Sequence, residues 1–296
     1  MSRPFRFGVN LMASAPADEW AAKCRRAEDL GYDVILVPDH LGMPAPFPAL
    51  VAAARATERP RLGTFVLNAG FWNPALLARE VATTDALTGG RLELGLGTGY
   101  VRAEHDAAGL PFGSPGERVD HLRRTVEELE RLLGDEEYQP RPVQRPGVPL
   151  LIGANGDRML ELTARHAAIA AFTGGRTVRG STTGQLAPVT AEELDERVAR
   201  YRELAAGRET PAELNLLIQT VVVTEDREAA ARPLLEHVPH LGADQVLELP
   251  IFLAGTLEQI TAQVRAQRER YGFTYLTVLE PYMEVFAPVM RALRDA

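Results

Sequence analysis

"RLELGLGTGYVRAEHDAAG", residues 91–109, begins with leucines at every second position and ends on glycines at 95, 97 and 99. Leu92, Leu94 and Leu96 give one apolar face, as a buried strand requires. A dinucleotide fingerprint needs G-x-G-x-x-G leading into a helix. Here the spacing is G-x-G-x-G, no helix is expected to start at Tyr100, and no Lys-Ser/Thr pair follows. Nucleotide binding through this cluster is therefore excluded. What remains is a strand whose C-terminal end carries no side chains, so that a flat group lies against it or the chain merely turns at a rim.

Outward from this stretch, strands and helices alternate. "FRFGVN" (5–10) reads as a short strand, and "ADEWAAKCRRAEDLG" (17–31) as a helix with Trp20, Cys24 and Ala27 on one face and Gly31 as its C-terminal cap. "DVILVPDH" (33–40) is a continuous apolar run of the kind parallel sheets use. A helix over 46–57 precedes the strand "RLGTFVLN" (61–68), and Asn73-Pro74 opens the next helix as N-cap and first-turn proline. Ser114, Pro115 and Glu117 form a capping box for a long helix to about 133. Further strands are "VPLLIGA" (148–154), "AIAAF" (168–172), one long strand "LNLLIQTVVVT" (214–224) and "FTYLTVL" (273–279), with a helix between Gly156 and His166. Eight strand–helix units without antiparallel hairpin signals predict an α/β fold, a (β/α)8 TIM barrel, as a single domain over residues 1–296. The tracts 134–147 and 173–189 read as loop insertions.

A composition of 46 % hydrophobic and 24 % charged residues supplies a sizeable core. The formal net charge of −8 argues against a nucleic-acid backbone or an anionic membrane as partner. Cys24 is the only cysteine, which excludes a disulfide framework and a thiolate metal site, and its helical face makes it core filler. No run of 18 apolar residues exists, and "MSRPFRFGVN" enters a strand without a signal peptide. A cytoplasmic protein is the expectation.

Two further stretches carry chemistry. Asp39 and His40 close the second strand, at the barrel face where active sites lie. A histidine there exchanges protons near neutral pH, and a neighbouring carboxylate would hold its tautomer; a helix-capping aspartate beside an exposed histidine is the competing reading. In "LLIGANGDRML", strand five runs through Gly153, Ala154, Asn155 and Gly156 into a helix, leaving free N–H groups and a positive helix end, an anion site. Asn155 is also a candidate cap for that helix, and Arg158 a candidate source of charge.

Together these stretches resemble the luciferase-like monooxygenase superfamily. "AEDLGYDVILVPDH", "GTFVLNAGFWNPALLARE", "ALTGGRLELGLGTGY", "GANGDRMLELTARHA" and "GTLEQITAQVRAQRERYGFTYLTV" stand in that family's order and spacing, over most of the chain. The wording is closer to the branch that uses the deazaflavin coenzyme F420 than to the luciferases. The resemblance implies a TIM-barrel oxidoreductase moving a hydride between F420 and a small-molecule or modified-peptide substrate. Asp39 and His40 would lie beside the deazaflavin, with His40 as proton donor or acceptor. A non-prolyl cis peptide at Phe65–Val66, with Thr64 next to it, would back the ring. Thr98 and Gly99 would line its edge, and Gly153 to Gly156 would hold the phosphate by backbone N–H. Where the sugar-phosphate dehydrogenase branch has two glutamates, this chain has Tyr100 and Ser14. Tyr100, or Glu104 and His105 after it, then becomes the candidate proton partner, while Phe71, Trp72, Leu110 and Phe112 are candidates to keep the site dry. Arg176 and Arg179 are candidates for the cofactor's acidic tail or an acidic substrate group. An FMN-dependent monooxygenase and a non-catalytic flavin-binding barrel are the alternatives, and family habit implies a homodimer.

Overall fold

The computed structural model describes residues 3–178, 180–238 and 241–295. Among them, eight parallel strands close into a barrel: β1 (Arg6–Asn10), β2 (Val34–Val37), β3 (Arg61–Thr64), β4 (Leu92–Gly97), β5 (Leu150–Gly153), β6 (Ile169–Phe172), β7 (Glu213–Ile218) and β8 (Tyr275–Leu279). Each pairs with the next, and β8 returns to β1 with Arg6 opposite Tyr275 and Asn10 opposite Leu279. The chain thus forms the (β/α)8 barrel that the alternating pattern implies.

The connecting helices are α1 (Ala17–Leu30), α2 (Pro46–Ala56), α3 (Pro74–Leu87), α4 (Arg102–Ala108), α5 (Pro115–Gly134), α6 (Asp157–His166), α7 (Ala191–Ala205), α8 (Arg227–Leu235), α9 (Ala243–Leu247), α10 (Leu257–Tyr271) and α11 (Met283–Arg294). Their ends follow local chemistry. Gly31 stops α1 in the left-handed conformation at φ 94°, Asn73 accepts from the N–H groups of Ala75 and Leu76 at the start of α3, and Ser114 and Glu117 form the reciprocal capping box of α5.

Alternation along the strands divides the core in two. Phe7, Val9, Leu92, Leu94 and Leu96 face outward into the layer between sheet and helices. Their neighbours face the barrel axis, where Val34, Leu36, Phe65, Leu151, Ile169 and Tyr275 pack together. Burying each such large apolar side chain is worth about 1.5–3 kcal/mol. At the N-terminal end of the barrel the axis is plugged by charge. Arg6 bridges Glu93 (2.6 Å) and Glu213 (2.5 Å), and Arg61 reaches Glu93 at 2.6 Å. The Arg6 guanidinium also lies 4.6 Å from the centroid of the Tyr275 ring.

Three expectations change. The run 61–68 is not one strand: β3 ends at Thr64, the Phe65–Val66 peptide is cis, and pairing with β4 resumes at Leu67–Asn68. The run 214–224 also divides. Gln219 and Thr220 both donate to the Ile251 carbonyl, and Thr220–Val223 leaves the barrel to pair with Phe252–Gly255. The tract 173–189 contains an antiparallel hairpin, Gly175–Thr177 against Leu186–Pro188, rather than a plain loop. No helix starts at Tyr100, as expected; α4 begins at Arg102, close behind the glycines.

The glycine ladder has a packing explanation. A Cβ at Gly95 would sit 1.9 Å from the Thr64 carbonyl oxygen, one at Gly97 2.7 Å from a Val66 methyl, and one at Gly99 2.1 Å from Asn68 Oδ1. Bare backbone on β4 is what lets the chain after β3 come this close. Backbone cannot yield as a flexible side chain does, so Gly95→Ala is expected to cost about 3 kcal/mol or more. Thermal unfolding of the variant would measure it; an unchanged midpoint would refute the packing argument.

Candidate functional site

The C-terminal ends of β2, β3, β4 and β5 converge on one rim. Asp39 and His40, directly after β2, turn to different partners. Asp39 Oδ2 accepts from the Asn68 N–H (3.1 Å) and from Trp72 Nε1–H (3.2 Å). Burial pushes the Asp39 carboxyl up, against those two donors, which pull it down. Asp39 therefore ties the β2 end to the turn after β3 and is not the group that holds His40. That group is Glu104 on α4: its Oε1 lies 2.8 Å from His40 Nδ1, with both side chains largely buried. A carboxylate only accepts, so Nδ1 carries the proton and Nε2 is left without a partner among the described residues. The Tyr100 ring stands edge-on to the imidazole at 5.8 Å. Burial and the nearby Glu104 both raise the Tyr100 hydroxyl, which stays protonated at neutral pH.

Asn68 is a hub that sequence reading passed over. Its Oδ1 accepts from the Gly70 N–H and its Nδ2 donates to His105 Nε2 at 2.9 Å. His105 in turn donates from Nδ1 to the Pro111 carbonyl and is 1 % exposed. His105 is thus a neutral, buried structural histidine. Phe71 and Phe112 each pack on its ring at 5.0 Å. Trp72 packs against Phe47. These aromatics brace the wall, with Arg118 behind them donating to the carbonyls of Gly99 and Gly113.

The Phe65–Val66 peptide bulges at the axis, with Phe65 7 % exposed among the inward residues and Val66 beside it. Thr64 is placed differently from its expected role. Its hydroxyl donates to the Gly95 carbonyl and accepts the Gly95 N–H, both at 2.8 Å and fully buried, so it clips β3 to β4 and has nothing left for a ligand. Thr98 and Gly99 follow β4 on the same rim, half-buried.

At the end of β5 the cradle is narrower than the four named residues suggest. The Ala154 N–H is already bonded to the Ala171 carbonyl at 2.7 Å. Asn155 does not cap α6; its amide donates to Thr173 Oγ1, and Gly156 is the N-cap with no side-chain hydrogen bond. A Cβ at Gly153 or Gly156 would meet nothing within 4 Å. Open space at an uncapped helix start leaves first-turn N–H groups facing outward, and that fits a phosphate. Arg158 turns away to Asp120 on α5. Arg176 pairs with Glu193 on α7, while Arg179 lies outside the described residues.

The hairpin at 175–188 reaches across to this rim. The Ala103 N–H donates to the Thr182 carbonyl at 3.1 Å. Gly184, at φ 75°, lies so close that a Cβ would be 2.7 Å from the Tyr100 ring. Among the described residues no group of three or more His, Cys, Asp and Glu is arranged to hold a metal ion, and no helix is long and apolar enough to cross a membrane.

The rim thus brings together a histidine–carboxylate pair, an inward bulge after β3 and an uncapped helix start at the mouth of one barrel. The model of the luciferase-like monooxygenase family matches residues 1–275, and the chain belongs to that family. Its relatives include an F420-dependent glucose-6-phosphate dehydrogenase of Intrasporangium calvum, 33 % identical over 201 residues, which are 60 % of each chain. The oxygenase component of a flavin-dependent trigonelline monooxygenase of Acinetobacter baylyi is 29 % identical over 168 residues, 50 % of this chain and 46 % of that one. The chain thus spans about half to three-fifths of these relatives' length. In structure, an F420-dependent secondary alcohol dehydrogenase superposes with a TM-score of 0.77 at 17 % identity, over 99 % of this chain and 100 % of that one.

Two measurements check the geometry. Histidine ¹⁵N shifts should show His40 protonated at Nδ1; Glu104→Ala should abolish that preference and Glu104→Gln, still an acceptor, should keep it. For Asp39, the raised carboxyl means that the unfolded chain ionises first as pH climbs from the ordinary value of 3.8. Wild type should therefore lose stability relative to Asp39→Asn over that rise, with the difference levelling once the folded carboxyl ionises. A gap that instead widens as the solution is acidified would contradict the assignment.

Proposed function

We propose that this chain is a coenzyme F420-dependent oxidoreductase that moves a hydride between the deazaflavin and a small organic or natural-product substrate. The observation that carries the reading is the His40–Glu104 pair: one anchored imidazole at the rim with its Nε2 free. F420-dependent enzymes among the relatives support it. The bound deazaflavin would supply the hydride exchange, and the protein has to orient the substrate and handle one proton. His40 carries that proton at Nε2, while Glu104 fixes the ring. Tyr100, protonated and edge-on to His40, is a hydrogen-bond donor rather than a base. Asp39 positions the loop that bears His40. Phe65 and Val66 present an apolar surface for the ring, and the first turn of α6 with Gly153 and Gly156 receives the phosphate.

The trigonelline monooxygenase relative favours a second reading, an FMN-dependent monooxygenase. The two share ring shape and phosphate, so cofactor titration decides. Cofactor-free protein titrated in parallel with F420 and FMN is expected to bind F420 preferentially, with micromolar affinity. Preference for FMN, with oxygen consumed on reduction, would replace the proposal by the second reading; binding of neither would overturn both. In turnover with a substrate found by screening, His40→Gln should lower the rate by roughly 10²–10⁴-fold and leave cofactor affinity unchanged.

A further inference from the structure

Asn10 ends β1 on the far side of the barrel from the phosphate cradle at β5. Phe7 and Val9 of the same strand face the helices, so by alternation Gly8 and Asn10 face the axis. Asn10 is 4 % exposed and its Oδ1 has no hydrogen-bond partner. Neither atom of its side-chain amide is bonded among the described residues. A buried amide oxygen left unpaired is rare and unfavourable. Asn215, deeper in the barrel, also has an unpaired Oδ1, but its amide nitrogen donates to the Tyr275 carbonyl and to Thr277 Oγ1. Gln263 and Gln267, which also hold an unpaired oxygen, donate to the carbonyls of Phe252 and Pro250 and lie on α10, outside the barrel.

If the cofactor occupies the β3 to β5 side, the remaining wall of the mouth is formed by β1 and β8, where Asn10 pairs in register with Leu279. The charges on this rim are already engaged or acidic. Lys23 is held by Glu280, Arg176 by Glu193, and Asp39 and Glu104 are carboxyls. Among the described residues named here, an anionic group would find no uncommitted cation. An amide, by contrast, offers one acceptor and two donors to a neutral oxygen function.

We propose that Asn10 orients the substrate, its amide pairing with an uncharged carbonyl or hydroxyl group. The proposal rests on the cofactor placement given above, which leaves this wall to the substrate. Asn10→Leu, close in volume, removes an unpaired buried amide. It should raise the unfolding midpoint of ligand-free protein by about 2–4 °C, since an apolar group of similar shape relieves the unmet desolvation. The F420 and FMN titration curves should stay as in the wild type.

Cofactor-loaded protein would then be titrated with cyclohexanone, methylcyclohexane and cyclohexanecarboxylate, following the Asn10 side-chain amide in ¹⁵N–¹H spectra and cofactor fluorescence in both proteins. The wild type should prefer the ketone to the hydrocarbon and the carboxylate by about tenfold or more, the scale at which one met or unmet hydrogen bond discriminates. Asn10→Leu should lose the preference. A fall in the midpoint of Asn10→Leu would assign Asn10 a structural role and overturn the proposal, as would a wild type that does not distinguish ketone from hydrocarbon. Failure of the wild type to bind either cofactor would instead overturn the cofactor placement, a result read in a separate titration.

Discussion

The hydroxyl of Thr64 exchanges two hydrogen bonds with the backbone of Gly95, and the rim of the barrel is built outward from that clip. It holds β3 against the end of a strand that carries only glycines, Gly95 and Gly97, on that face. The chain beyond Thr64 is thereby forced over β4, which turns Phe65 to the axis and delivers Asn68 beside Gly99. Asn68 then reaches three elements: its N–H anchors Asp39 after β2, its oxygen closes the turn at Gly70, and its amide nitrogen holds His105 on α4. Because His105 is fixed, so is α4, and with it the carboxylate of Glu104 that meets His40. A hydroxyl–glycine contact inside the barrel thus sets the position of a histidine on its rim.

The two ends of the barrel treat charge in opposite ways. At the N-terminal end every charge is answered at short range, with Arg6 and Arg61 sharing Glu93 and Arg6 also holding Glu213. Such a buried network is worth little in net stability but strongly resists losing one member. At the C-terminal end the pairing is incomplete. His40 has a free nitrogen, the α6 terminus has no side-chain cap, and Asn10 has no partner among the described residues.

The sequence showed the eight barrel strands and their order because each is a short apolar run bounded by glycine, proline or a cap. It showed His40 because a histidine just past a barrel strand lies at the reactive face. It misjudged 214–224 because a stretch so rich in Leu, Ile and Val reads as one strand even across Gln219 and Thr220, where pairing changes partner through a carbonyl at Ile251. Glu104 stood out as a candidate proton partner but not as the anchor of His40, since that link spans 64 residues and crosses from β2 to α4. Thr64 and Ala154 were assigned to ligand through the family resemblance, and only their hydrogen bonds show that the Thr64 hydroxyl proton and the Ala154 N–H are already committed. Asn10 gave no signal at all, because an asparagine at a strand end is ordinary until its burial and lack of partners are seen together.

The hairpin at 175–188 belongs to the connection after β6, yet its tip is fastened to the residues just after β4, through Thr182 on Ala103 and Gly184 on Tyr100. The helix that presents Glu104 is therefore braced from a quarter of the way around the barrel. In a fold whose loops are commonly treated as interchangeable modules, these two are a matched pair: their lengths and tip residues have to vary together, or the imidazole at the rim loses its bearing.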